Sequence, residues 1–93
     1  MIDLTNDDPS VLEQLGRLYF DSSDFNKADS VFFRLFEDGH QTSTVLYFLG
    51  RMALDSEDYE AAEAYSLQLT EQFPQEPAGY TNLALARINL DKT

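Results

Sequence analysis

The run Val11-Leu12-Glu13-Gln14-Leu15-Gly16-Arg17 recurs 34 residues later as Val45-Leu46-Tyr47-Phe48-Leu49-Gly50-Arg51, with its apolar frame intact. The same step carries Asp21-Ser22-Ser23-Asp24-Phe25 onto Asp55-Ser56-Glu57-Asp58-Tyr59, Ala28 onto Ala62 and Leu35 onto Leu69. A partial third copy begins at Pro77 and sets Leu83 and Ala84 where the earlier copies have Leu and Gly. A fixed period of this size marks units that cannot bury their apolar faces alone and do so by stacking. Whatever the local details, the chain must be a short row of similar units.

Each copy reads as a pair of helices. Asp8 before Pro9 predicts a helix start, a capping carboxylate followed by proline at the first helical position. Leu12, Leu15, Gly16 and Tyr19 then share one face of a helix over about 9–21. Ser22 or Ser23 is expected to cap a second helix, about 23–37, with Phe25, Ala28, Phe32, Leu35 and Phe36 inward and Gly39 in the left-handed position that ends it. Thr42 or Ser43 caps a third, about 43–55, turning Leu46, Leu49, Gly50 and Ala53 inward. Ser56 caps a fourth, about 57–72, on Tyr59, Ala62, Tyr65 and Leu69. Pro74 and Pro77 halt propagation on both sides of a turn, and a fifth helix, about 77–90, presents Tyr80, Leu83, Ala84 and Arg87 inward. Phe33 falls out of phase and is expected to be buried against a neighbour. The fold class is all-α, a helix-turn-helix solenoid of five antiparallel helices. One domain over 9–93, made of repeats 9–42 and 43–76 and a half repeat or cap 77–93, follows an acidic tail, 1–8, whose Ile2 and Leu4 are expected to fold over the first helix.

Gly16 and Gly50 sit mid-helix, where glycine costs roughly 1 kcal/mol against alanine. Their matched placement makes sense if a partner helix crosses there, with Ala28 and Ala62 as the opposite wall.

These residues resemble the tetratricopeptide repeat, a 34-residue helix-turn-helix. The matches in the first copy are Leu12, Leu15, Gly16, Tyr19, Phe25, Ala28, Phe32 and Leu35. In the second they are Leu46, Leu49, Gly50, Tyr59, Ala62, Leu69 and Pro74, and the half copy adds Pro77, Tyr80, Leu83 and Ala84. The chain departs from the family's pattern at the first-helix Trp (Leu12, Leu46), the first-helix Tyr (Ala53), the second-helix aromatic (Ser66) and the closing Pro (His40). The resemblance implies a superhelix whose first helices line a concave groove that holds a peptide or helix of a partner protein. It places Glu13, Arg17 and Phe20, then Tyr47, Arg51 and Leu54, then Thr81, Asn82, Leu85 and Ile88 in or beside that groove. Ser10, Thr44 and Ala78 share the register. Helical phase agrees, because these positions lie off the Leu-Leu-Gly-Tyr stripe.

Arg17 and Arg51 are two of only six basic residues. On neighbouring helices they are expected to form a paired guanidinium site for an acidic peptide. Local balance is the competing reading, since Glu13–Arg17, Arg17–Asp21 and Arg51–Asp55 are all i,i+4 pairs worth ~0.2–0.5 kcal/mol each. Some members of the family grip a C-terminal carboxylate through Lys, Asn and Arg. Glu13, Phe48 and Ala78 stand at such places here and only Asn82 fits, which argues against that role. Phe20, Leu54 and Ile88 are expected to form an apolar ladder on the groove rim, and the open face of the last helix allows a homodimer.

Charge and composition close off other classes. A net charge of -11, from seventeen acids against six bases, disfavours nucleic acid and anionic membrane surfaces as partners. It leaves solubility, a basic partner or a high-salt cytoplasm as its reason. An apolar content of 43% is too high for a disordered chain. No signal peptide and no membrane-length apolar run is present, and a chain without cysteine fits a reducing cytoplasm. His40 is the sole histidine, so neither a histidine metal pair nor a Ser-His relay is available, and no glycine-rich phosphate loop exists. No catalytic residue, cofactor or metal is therefore expected. The sequence reads as a non-catalytic protein-interaction module, with an assembly or regulatory domain of a larger protein, or a self-associating unit, as alternatives.

Overall fold

The computed structural model describes residues 8–92. It is all-helical: α1 (Pro9–Asp21), α2 (Phe25–Glu37), α3 (Ser43–Asp55), α4 (Tyr59–Gln72) and α5 (Pro77–Asp91), with no strand among the described residues. Each helix packs on the next, and α3 also packs on α5. The arrangement is the expected row of helical hairpins. The tail, with Ile2 and Leu4, lies outside the described residues.

Helix starts follow local chemistry. The Asp8 carboxylate accepts from the Ser10 amide at 2.9 Å and Pro9 opens α1, as expected. Thr42 caps α3, its Oγ1 accepting from the Val45 amide at 3.3 Å. The starts of α2 and α4, however, fall two residues later than the serine caps imply. Ser23 and Glu57 adopt φ of 62° and 63°, a left-handed conformation, and each closes the preceding helix. The Ser23 amide donates to the Phe20 carbonyl and the Asp24 amide to that of Tyr19. The Glu57 and Asp58 amides do the same to Leu54 and Ala53. These paired bonds are Schellman closures, and the Ser56 hydroxyl joins one by donating to the Ala53 carbonyl. The caps of the following helices are Asp24 and Asp58, of which Asp58 accepts from the Ala61 amide. Gly39 closes α2 in the same way, at φ 91°.

The first core gathers Leu12, Ala28, Phe32, Leu35, Val45, Leu49 and Met52 across α1, α2 and α3, and the second gathers Ala53, Ala62 and Ala86. Gly16 and Gly50 are both buried at close approaches, but the opposite wall is not Ala28 or Ala62. A methyl on Gly16 would lie 2.7 Å from the Phe32 ring, and one on Gly50 would lie 3.2 Å from the Ser66 hydroxyl. Phe32 and Ser66 are themselves one repeat apart, so the contact recurs while its chemistry changes from aromatic to polar. The Phe32 ring stacks on Phe48 at 4.7 Å, and truncating such a ring in a core costs about 3–5 kcal/mol.

α5 buries a face other than the one expected, and it is the counterpart of the face that Val45, Phe48, Leu49 and Met52 form in α3. Gly79, Asn82, Leu83 and Ala86 are buried, whereas Tyr80, Ala84 and Arg87 are exposed. The repeat register assigns those three to a following helix, and none follows among the described residues. Tyr80 instead donates its hydroxyl to the Pro74 carbonyl, and Arg87 pairs with Glu63. Phe33 is not buried either; it is 43% exposed on α2.

Candidate partner-binding groove

α3 and α5 each offer a stripe of side chains to the same side. Tyr47, Arg51 and Leu54 follow one another at i, i+4 and i+7 on α3, and Ala78, Thr81, Asn82, Leu85 and Asn89 at i, i+3, i+4, i+7 and i+11 on α5, so each set occupies one helical face. Between them lies a cavity of about 500 Å³, completed by Asp55 and Tyr59. The α3–α5 packing that brings the stripes together is anchored by Ala53 and Ala86, which let the helices approach. Of the residues the register selected, Tyr47, Arg51, Leu54, Thr81, Asn82 and Leu85 converge here.

The others are placed elsewhere. Glu13 is half-buried and its carboxylate accepts from the Thr42 hydroxyl at 2.7 Å, tying α1 to the α2–α3 turn. Phe20 belongs to an aromatic chain, 5.3 Å from Phe25 and 5.1 Å from Phe48 between ring centroids, and packs on the first core. Ile88 is 52% exposed and outside the cavity. The expected ladder of Phe20, Leu54 and Ile88 is therefore not continuous. Phe20 is drawn inward by the rings around it.

Arg17 and Arg51 line different cavities. Arg17 of α1 joins Ser43, Thr44 and Phe48 of α3, Leu69 of α4, and Glu76 and Ala78 at the start of α5 around about 340 Å³. Tyr47 lines both cavities, its ring edge-on to Phe48 at 5.1 Å. Arg51 reaches Asp55 at 3.5 Å, the expected i,i+4 pair. Arg17 makes no ion pair among the described residues, so neither Glu13 nor Asp21 balances it. The Arg51 pair is exposed and worth only ~0.2–0.5 kcal/mol. A ligand carboxylate can therefore displace Asp55 at small cost.

Asn82 differs from its neighbours in being only 5% exposed. Its amide nitrogen and the Ser66 hydroxyl are both buried without a hydrogen-bond partner, and both face the place where a methyl on Gly50 would stand. The polar spot beneath the groove floor was legible only as a departure, the serine in the place of an aromatic. Asp55, Tyr59 and Asn89 were not selected from the sequence. Asp55 and Asn89 lie one helical turn beyond Arg51 and Leu85, so extending the same stripe finds them.

Among the described residues no cluster of three or more His, Asp or Glu side chains is arranged to hold a metal ion, and no helix is long and apolar enough to cross a membrane. Compared with family models, with curated proteins and with solved structures, the chain matches none of them.

Proposed function

We propose that this chain is a tetratricopeptide-like, non-catalytic interaction module that holds a peptide or short helix of a partner protein between α3 and α5. The observation that carries this reading is the convergence of Tyr47, Arg51 and Leu54 with Thr81, Asn82 and Leu85 around about 500 Å³ of open space. An apolar pair, Leu54 and Leu85, supplies the desolvated area from which recognition draws most of its energy, and the Arg51 guanidinium and Asp55 carboxylate supply orientation. The net charge of -11 turns away nucleic acid and anionic lipid. Selection of binders from a random peptide library tests the reading. Selected peptides should lose about tenfold or more in affinity to Leu85→Ala, as expected for a central interface residue. Peptides indifferent to both Leu85→Ala and Arg51→Ala would discard it.

Self-association through α5 is a second reading. It is supported by the exposure of Tyr80 (49%), Leu85 (45%) and Ile88 (52%) along one helix. Sedimentation over a range of concentrations decides it: a monomer at high concentration removes it.

A further inference from the structure

Away from the α3–α5 groove, α2 and α4 leave a second cleft of about 410 Å³, floored by Met52 of α3. One wall is aromatic, with Phe25 and Phe33 standing 46% and 43% exposed on α2, and Tyr65 forms part of the facing wall on α4. The rim carries one exposed carboxylate on each side, Asp29 from α2 and Asp58 from the start of α4. Neither a Lys nor an Arg lines the cleft. Asp58 is engaged by the Ala61 amide, while Asp29 has no hydrogen bond or ion pair among the described residues. This surface is separate from the α3–α5 groove and shares no lining residue with it.

The chemistry of that cleft selects its occupant. An anion meets two carboxylates with no compensating cation, and a purely apolar side chain leaves them desolvated. A metal ion would need more oxygen ligands than two carboxylates on opposite walls provide, and no cluster of three ligating residues exists among those described. A long cationic side chain satisfies both features, laying its methylene stem on apolar atoms and its charged head at the acidic rim, with aromatic faces beside it.

We propose that the α2–α4 cleft is a second docking surface, which takes an arginine or lysine side chain from a basic segment of a partner protein. The stem lies over Met52 between Phe33 and Tyr65, and the head meets Asp29 and Asp58. The surface operates independently of the concave groove, so one partner can occupy both faces or two partners one each.

The test is a titration of the 15N-labelled full chain with a capped peptide of alternating arginine and leucine, followed by amide and methyl shifts. Resonances of Phe33, Met52 and Tyr65 should move. Asp29→Asn and, separately, Phe33→Ala should each weaken binding roughly tenfold, as for a charge or ring between the exposed and fully desolvated limits. Leu85→Ala and Arg51→Ala should leave that affinity unchanged, which separates this surface from the groove. The proposal is overturned if the shifts map to Tyr47 and Leu85, or if both cleft variants bind as tightly as the parent. It is also overturned if free spermine matches the peptide's affinity at these resonances, which would make the cleft a polyamine site.

Discussion

The ring of Phe32 occupies the space that a side chain on Gly16 would need: a methyl placed there would lie 2.7 Å from the ring's Cζ. Phe32 cannot swing aside, because it is fully buried and stacked on Phe48 with an interplanar angle of 6°. Gly16→Ala therefore gains about 1 kcal/mol of helix propensity but forces an overpacked core, which costs about 1–3 kcal/mol. The variant should be less stable than the parent in urea. Gly50→Ala meets the Ser66 hydroxyl at 3.2 Å, the Asn82 amide at 3.6 Å and the Tyr65 Cβ at 3.7 Å, all looser than the contact at Gly16, so it should be neutral or stabilising. Equal effects of the two substitutions would show that the repeats are packed alike after all.

Ser23 and Glu57 hold left-handed backbone angles, 62° and 63°, that an L side chain disfavours by ~1–2 kcal/mol. Glycine removes that strain at some cost in unfolded-chain entropy. Ser23→Gly and Glu57→Gly should each stabilise by about 0.5–1 kcal/mol. Ser22→Gly, one residue earlier at φ −87°, serves as the control and should destabilise. Denaturant midpoints measure all three.

The Ser66 hydroxyl is buried and unpartnered. Leaving such a group unsatisfied costs about 1–3 kcal/mol, most of which vanishes with the group. Ser66→Ala should therefore raise the unfolding free energy by roughly 1 kcal/mol. A drop of similar size would mean that the hydroxyl has a bonding partner, most simply through Asn82, and the Asn82→Ala background would then abolish the drop.

Burial raises the Asp29 carboxyl above its ordinary value. The native state then holds its proton more tightly than the unfolded chain, so this group's contribution to stability falls as pH rises through the carboxylate range, and the penalty is complete above it. Asp29→Asn should stabilise the protein at neutral pH and confer nothing below 3.8, the ordinary value. Thermal unfolding at the two pH values checks the sign. Tyr65 is raised too, first by burial and then by the charges of Asp29, Asp58 and Glu37. Its phenolate absorbance, isolated by subtracting a Tyr65→Phe titration, should appear above 10.0, and Asp29→Asn should bring it only part of the way down.

The period made the architecture legible, because a repeat spacing reports which faces must be buried whatever the loops do. The glycine pair was legible for the same reason, although Phe32 and Ser66, not the alanines, stand opposite. The helix starts at Phe25 and Tyr59 were misread because Ser23 and Glu57 take a left-handed position that sequence rules reserve for glycine. α5 was misphased for a different reason. The register of Tyr80, Ala84 and Arg87 presupposes a helix on their side, and none follows α5 among the described residues; Gly79 faces α4, where a methyl on it would meet Leu69 and Thr70. On the groove, helical phase brought together Tyr47, Arg51 and Leu54 of α3 with Thr81, Asn82 and Leu85 of α5, but not Ile88. It failed for α1 because no single-helix pattern shows that Phe20 will be captured by Phe25 and Phe48.

Tyr47 and Ala78 border both cavities, so whatever reaches from the Arg51 side to the Arg17 side passes between a phenol ring on α3 and a methyl group on α5. That ring is propped edge-on against Phe48, which in turn is stacked on Phe32 in the first hairpin. Of the two side chains bordering both cavities, the ring is by far the bulkier, so it sets what can cross. A partner long enough to touch both arginines must contend with a barrier whose footing runs down into the core, whereas a shorter one stops before it.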